Sequence, residues 1–593
     1  MSNTARPTSL TYPNGRVVNL GYGSSDSIDD LFSLVKTAAI SGESGNKVDY
    51  TRVGLGRFVK ISYPKPGVEM SMTRPGGGSM GDSGDPYDGY DRFGRVQEMR
   101  WQSSSTGTPI DAWQWGYNEA SNRTWKKNLV AASGQDEAYG YDGLYQVIRD
   151  AVGTLNTNRT AIGGVPGEEE DFEYDPTGNW LGYRKDANGS VVLAQSRSNN
   201  KDNQLTQIDG SSALLSYHRA GNATKTAPGT GGDWTKYYQP VWDAWNRIVE
   251  VKNEIGTSVQ KNAYDGLTRR ITKEASSVVT HTYWSDRWKP LEERVGSAST
   301  ASRSYLWGER PGHRDELILR DRDTDGNGSL DERLYATMDY FNGTSILNTS
   351  GAVQERYAYT AFGERRIMAA DFMPRSTSSY AWDFGFQGQF RDAETGWYNY
   401  GYRFYVPMLG RWINRDPIEE DGGTNLYAFV RNNSINGVDL LGLQEPYAYA
   451  RPVHRDCEWE ILGGHFGNVI ERLKNMRGNG WVPGCDQRLG AVACGSDRVN
   501  EAFRGSGADI PGVQDAVSPF LNDEGNLPFS KGKQALRAAI NAAKKSAKEE
   551  CKDTETCCDT VRVFVSCDSD MTEVAGQLLC GTDITIDCSK YRK

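Results

Sequence analysis

The chain has 593 residues, of which 37% are hydrophobic and 11% aromatic, with 66 glycines, 31 tyrosines and 16 tryptophans. That balance lacks the aliphatic stripes of a helical bundle and suits short strands joined by tight turns, with aromatic rings supplying the burial. A net charge of -10 excludes a basic nucleic-acid-binding field over the whole protein, and no run approaches the roughly 18 apolar residues of a membrane-spanning helix. A mainly β repeat architecture is predicted.

Met1 to Leu20 has neither a charged start nor an apolar run, so no signal peptide is expected. Thr11-Tyr12-Pro13-Asn14-Gly15-Arg16 already reads as repeat material. The given start is therefore expected to lie inside a longer protein, with export lacking a cleaved signal as the other option.

A phrase then recurs to about residue 410. Its fullest copy is Tyr90-Asp91-Arg92-Phe93-Gly94-Arg95-Val96. Echoes begin at Tyr141-Asp142, Tyr174-Asp175, Trp242-Asp243 and Tyr264-Asp265. Where the spacing is best the step is roughly 20–25 residues, as in stacked repeats. In each unit an aromatic residue ends a strand and Asp begins a turn closed by side-chain-to-backbone bonds. Arg or Asn then opens an alternating strand, as in Arg95 to Trp101. One hairpin cannot bury its own face, so the units are expected to stack edge to edge.

These phrases resemble the YD repeats of RHS proteins, Tc-toxin C subunits and teneurins, over about residues 10–443. The resemblance implies a spiralling YD-repeat β-sheet that winds into a hollow shell. Shells of that family usually take more repeat than is present here, so an incomplete or open shell is the other expectation. The implied division is a repeat shell at 1–380, an RHS-associated core at 381–443 and a variable C-terminal domain at 444–593.

Asp321-Arg322-Asp323-Thr324-Asp325-Gly326-Asn327-Gly328-Ser329-Leu330-Asp331-Glu332 matches the twelve-position calcium loop. Asp321, Asp323 and Asp325 would be the first carboxylates. Asn327 would offer its carbonyl, Ser329 a water and Glu332 the closing bidentate carboxylate. Gly328 departs from the usual aliphatic residue at position eight. The flanks Glu316 to Arg320 and Arg333 to Thr337 read as strands, which predicts a calcium-stiffened loop in the sheet. An acidic solvated turn is the alternative.

The repeats end in an ordered string of motifs. Gly396-Trp397-Tyr398-Asn399-Tyr400-Gly401-Tyr402-Arg403-Phe404-Tyr405 is followed by Gly410-Arg411-Trp412-Ile413-Asn414-Arg415-Asp416-Pro417. Asn425-Leu426-Tyr427 and Val438-Asp439-Leu440-Leu441-Gly442-Leu443 complete it. This is similar to the RHS repeat-associated core domain, an intramolecular aspartyl protease. The resemblance implies catalytic Asp416 and Asp439, charge tuning by Arg415, and a scissile bond between Leu443 and Gln444. Two close carboxylates share a proton and split their titrations, so one can act as base and the other as acid. The chain departs from the family at Leu440, where proline is usual, and at Glu419, where glycine is common.

Residues 444–593 obey other rules. All nine cysteines lie beyond residue 450, between Cys457 and Cys588. None has paired zinc spacing, which favours disulfides with at least one thiol left over. Helix is predicted around His465 to Leu473 and from Ser530 to about Glu550, and strands at Thr560 to Ser566 and Asp583 to Asp587. A small α+β domain follows. His454 and His465, with Asp456, Glu458 or Glu460, have the residue types of a nuclease, but isolated histidines near a linker more often have structural or solvated roles.

Two functions compete. One is a secreted shell that cuts itself and releases its C-terminal domain as cargo, with secretion machinery and a cognate immunity protein as partners. The other is a calcium-stiffened cell-surface protein recognising glycans or protein partners.

Overall fold

The computed structural model describes residues 6–25, 27–53, 57–72, 89–309 and 316–443, together with the backbone of three strands nearer the C-terminus. Two compact units separate by their internal contacts, one carrying the repeats and one containing the three late strands.

In the first unit the chain lays down strands in strict sequence order. Fifteen strands, from Ser9–Thr11 to Leu205–Ile208, form one sheet, and thirteen, from Gln239–Trp242 to Pro374–Arg375, form a second. A two-stranded ribbon, Ser216–Tyr217 with Ala223–Lys225, stands between them in sequence. A sheet of four short strands follows, from Phe390–Arg391 to Arg411–Trp412. Neither large sheet returns to pair with its own first strand. The expected mainly β, sequentially wound sheet is present, and it does not close as a barrel.

The recurring phrase has a physical cause. Asp91 Oδ1 accepts the N–H groups of Phe93 and Arg95 at 2.9 and 2.8 Å, and its Oδ2 pairs with Arg95 Nε at 2.6 Å. Asp265 repeats this with Leu267 and Arg269 at 2.9 Å each, and Asp142, Asp175 and Asp243 do the same. The turn so capped must pass through left-handed backbone at its fifth position. Gly94 (φ 74°), Gly178 (φ 81°) and Asn246 (φ 59°) occupy that place. The leading aromatic residue then reaches back one unit. Tyr141 Oη donates to the Arg123 carbonyl at 2.6 Å, Tyr264 Oη to Ile248 at 2.8 Å and Trp284 Nε1 to Arg270 at 2.9 Å. Arg269 Nη1 reaches forward to the Ser285 carbonyl at 2.8 Å. Each turn is thus self-capped and tied to its neighbours. The strand expected from Arg95 begins only at Glu98, because Tyr90 and Val96 form an isolated bridge at the turn.

The two large sheets pack on each other through buried aromatic and aliphatic side chains, among them Tyr63, Trp101, Leu319 and Tyr335. Several polar groups inside the contact are matched. Trp101 Nε1 donates to the Met338 carbonyl at 2.7 Å and Tyr12 Oη to Tyr305 at 2.7 Å. Asp111, on strand Pro109–Tyr117 of the first sheet, gathers four donors from the second. Ser345 Oγ lies at 2.7 Å, Thr337 and Thr344 at 3.1 Å, and Arg356 Nη1 at 2.5 Å.

Residues 381–443 pack as a dense aromatic body against the repeats. Tyr398, Tyr400, Tyr405, Trp412 and Phe429 are fully buried. Side chains of this body reach repeat turns directly. Asn432 Nδ2 donates to the Gly178 carbonyl at 2.7 Å, Tyr427 Oη to Gly221 at 2.7 Å, and Asn436 Oδ1 accepts the Arg123 N–H at 2.9 Å. Gly221, at φ 85°, has no room for a Cβ, which would fall 2.6 Å from Tyr427 Oη.

In the second unit, Asp486–Val492 pairs parallel with Thr560–Ser566, which pairs antiparallel with Asp583–Asp587. The latter two are the strands expected there. The expected helices, His454, His465, Gln444 and all nine cysteines lie outside the described residues.

Removing one partner of a buried ion pair leaves an uncompensated charge, at a cost of about 3–5 kcal/mol. Asp111→Ala strands Arg356 and three hydroxyls in this way. Its unfolding free energy, measured in denaturant, is expected to fall by about that amount. A change under about 1 kcal/mol would remove Asp111 as the link between the sheets.

Candidate active site

The close of the core motif brings two acids to one base. Asp416 follows the strand Arg411–Trp412; its N–H donates to the Leu426 carbonyl at 3.0 Å and its Oδ1 accepts the Ile418 N–H at 3.1 Å. Asp439 lies on the last loop, its N–H donating to Gln387 Oε1 at 3.2 Å. Arg403 stands between them. Its Nη2 is 2.7 Å from Asp416 Oδ2 and 3.5 Å from Asp439 Oδ2. Two oxygens touching one nitrogen can be no farther apart than the sum of those distances. Asp416 is 3%, Asp439 0% and Arg403 1% exposed, so the triad is out of water. The guanidinium lies 4.2 Å over the Trp412 ring.

Arg415, expected to tune the site, faces elsewhere. Its side chain is 41% exposed and 4.0 Å from Asp202. The cation is Arg403, twelve residues earlier. Arg403 ends the phrase Tyr400-Gly401-Tyr402-Arg403, part of the motif string that closes the repeats. Arg403 belongs to a tight turn ending at the strand Phe404–Val406, closed by the Tyr400 N–H on its carbonyl at 3.1 Å.

Burial lifts the Asp439 carboxyl to about 6. Arg403 and the N–H groups of Gly442 and Leu441 oppose that rise, and the charge of Asp416 adds to it. Burial also pulls the Arg403 guanidinium below the usual arginine value, against both carboxylates.

The peptide before the expected cut is held by the same groups. Asp439 Oδ1 accepts N–H bonds from Leu441 at 3.2 Å, Gly442 at 2.7 Å and Leu443 at 3.1 Å. Arg403 Nε donates to the Gly442 carbonyl. Both faces of the Gly442–Leu443 peptide therefore belong to the site, and the next peptide is the expected scissile one. Gly442 has φ 70°, and a Cβ there would lie 3.0 Å from Arg403 N, so the position favours glycine. At Gly422 a Cβ would lie 2.5 Å from Asp416 Oδ2 and would displace that carboxylate.

Both departures from the family pattern have a structural reading. Glu419 adopts φ 53°, the conformation a glycine takes freely, so the departure stores backbone strain of about 1 kcal/mol. Leu440, in place of proline, packs on the core that contains Val438, which anchors the loop by burial instead of by ring stiffness.

The predicted calcium ligands do not converge. Leu317–Arg322 and Glu332–Met338 pair antiparallel, so Asp321 and Glu332, the first and last ligand positions, belong to strands. Asp321 pairs with Arg16 at 2.5 Å and Arg333 at 2.7 Å, and Glu332 with Arg320 at 2.8 Å and Arg322 at 3.0 Å. Between them, Asp323 accepts the N–H groups of Gly326 and Gly328 at 2.8 Å each. Asp325 accepts the N–H of Asn327 at 3.1 Å, and Asn327 Oδ1 that of Ser329 at 2.8 Å. Among the described residues no three His, Cys, Asp or Glu side chains are grouped to hold a metal. Arginines neutralise the outer two positions, which weighs against a calcium ion there. Calorimetric titration to millimolar calcium is expected to show no saturable uptake. Saturable binding lost in Asp323→Asn would overturn that assignment.

No family model matches the chain. It is 24% identical over 384 residues to toxin subunit YenC2 of Yersinia entomophaga, covering 59% of this chain and 37% of that one. It is 43% identical over 61 residues to toxin protein Tse5 of Pseudomonas aeruginosa, covering 10% of this chain and 5% of that one. The chain thus spans little more than a third of the length of YenC2 and far less of Tse5. The solved Photorhabdus luminescens Tc holotoxin pore containing TccC3 superposes with a TM-score of 0.56 at 17% identity, over 74% of this chain and 21% of that chain. Self-capped YD turns, strands laid down in sequence order and these relatives agree: the chain is similar to RHS/YD-repeat proteins and has the fold of the Tc-toxin C subunits.

Proposed function

We propose that this protein is an RHS shell that cuts its own backbone after Leu443 and so frees residues 444–593 as an effector. The observation that carries the reading is Arg403 bridging Asp416 and Asp439, with Asp439 bonded to the Leu443 N–H. The relatives named as toxins support the effector role of the tail, with export machinery and an immunity protein as its partners outside the shell. Among the described residues no helix is long and apolar enough to cross a membrane. The rival reading, a calcium-stiffened surface binder, has less support because its stiffening loop does not gather ligands.

In the proposed reaction a water between the carboxylates attacks the Leu443 carbonyl carbon. Asp416, in contact with the cation at 2.7 Å, takes the water's proton. Asp439 gives its own proton to the Gln444 nitrogen as the C–N bond breaks. The products are a Leu443 carboxyl group and a free Gln444 amine. Arg403 stabilises the negative charge that passes between the acids.

The purified chain should run as two fragments on a denaturing gel, while Asp416→Asn and Asp439→Asn run as one. Arg403→Gln should slow cleavage at least about 100-fold, and Arg415→Ala should cut like the parent. Because Asp439 acts as the acid, the rate should fall as pH rises through about 6. The same group favours the folded state below its ordinary pKa, and that contribution is lost as pH rises through about 6. A parent chain still whole after long incubation at acid pH would sink the proposal. For the effector, residues 444–593 expressed alone in a bacterium should arrest growth, and harmless soluble expression would argue against a toxic cargo.

A further inference from the structure

We infer that Gln387 is a positioning residue for this reaction, the side chain that sets Asp439 against Arg403 and Asp416. The inference rests on the self-cleavage reading above and adds a residue to it.

Gln387 is 5% exposed and lies in the short turn Phe386–Gly388, at φ 52°. A glutamine held in left-handed backbone costs about 1 kcal/mol or more, so the surroundings must impose it. They do: the Gln387 N–H donates to Asn342 Oδ1 at 2.9 Å, and the Gly343 N–H donates to the Gly385 carbonyl at 3.1 Å. Asn342 belongs to the turn between the strands Glu332–Met338 and Gly343–Leu347 of the second large sheet. The base of the side chain is therefore fixed to the repeat sheet.

Its carboxamide is spent on the loop that carries the acid. Nε2 donates to the Gly437 carbonyl at 2.9 Å, and Oε1 accepts the Asp439 N–H at 3.2 Å. Tyr400 Oη gives a second donor to Oε1 at 3.3 Å. One planar amide thus bonds the C=O of residue 437 and the N–H of residue 439, as a neighbouring strand would. Both bonds are out of water, where an unmatched donor or acceptor is costly. The clamp fixes the backbone on the N-terminal side of Asp439, and the Leu441, Gly442 and Leu443 N–H groups fix its carboxylate on the other side. Only a side chain that both donates and accepts can do this. Leucine or methionine can fill the space, and an ionised glutamate can accept but would repel the Gly437 oxygen. A protonated glutamate, with one O–H and one C=O, can replace the amide.

That chemistry sets the test, run on the full chain by following the intact band with time across pH. Gln387→Met keeps the volume and removes both bonds, and should slow cleavage about 100-fold, since displacement of a reacting group by ~1 Å costs that much. Gln387→Glu should approach the parent rate at acid pH, where the new carboxyl is protonated and donates to the Gly437 carbonyl, and should lose it as that carboxyl ionises. A space-filling role would not produce that pH-dependent rescue. Equal rates for the parent and Gln387→Met, or a Gln387→Glu variant no faster than Gln387→Met at acid pH, would overturn the role of Gln387 and leave the self-cleavage reading standing. A parent chain that never splits would overturn the self-cleavage reading itself.

Discussion

A carboxylate that caps its own turn is the interaction on which this molecule is built. Asp91, Asp142, Asp175, Asp243 and Asp265 each take the N–H groups two and four residues ahead, so the turn needs nothing from the rest of the chain to hold its shape. The aromatic residue before the Asp then bonds the carbonyl that follows the previous turn, as Tyr264 does to Ile248. Local closure and one backward bond together make each unit a template for the next. A sheet of fifteen strands in sequence order is the natural product of such a rule.

The same turns serve a second purpose. Left-handed residues expose backbone carbonyls at regular places, and the core segment bonds them through Asn432 and Tyr427. The core is therefore seated on the repeats by neutral hydrogen bonds as well as by ion pairs such as that of the buried Asp392 with Arg270 at 2.7 Å. Charge is also buried where chemistry is proposed. Burying Asp416, Asp439 and Arg403 together is tolerable because the guanidinium touches both acids and Trp412 covers its face. A residual imbalance stays on Asp439, whose three N–H donors do not fully offset its burial.

The repeats were legible in the sequence because their cause is local. The Asp and the donors it caps sit within five residues, and so does the left-handed position, so the phrase is the structure. Asp416 and Asp439 were legible only through the motif string, and Arg403 was not. Arg415 is adjacent to Asp416 in the chain, yet its side chain lies half-exposed beside Asp202, and the cation comes from a turn twelve residues back. Gln387 left no trace, because a clamp on backbone atoms has no partner side chain to pair with in a motif. The calcium pattern is read in the opposite way. It counts oxygens along twelve positions, while the hairpin assigns the first and last of them to strand ladders flanked by arginines.

Strain and glycine mark where the core has been shaped for approach. Gly442 and Gly422 leave room for Arg403 and Asp416, and a side chain would crowd the Arg403 backbone at the first and the Asp416 carboxylate at the second. Glu419 and Gln387 accept left-handed backbone without being glycine. For Gln387 the return is visible in two bonds to the Asp439 loop; for Glu419 nothing in the structure shows one. Strain kept beside a buried acid–base triad, with the peptide of residues 442–443 gripped at both ends, is what a site would hold if it must present one backbone bond to two carboxyl groups and then let the following chain go.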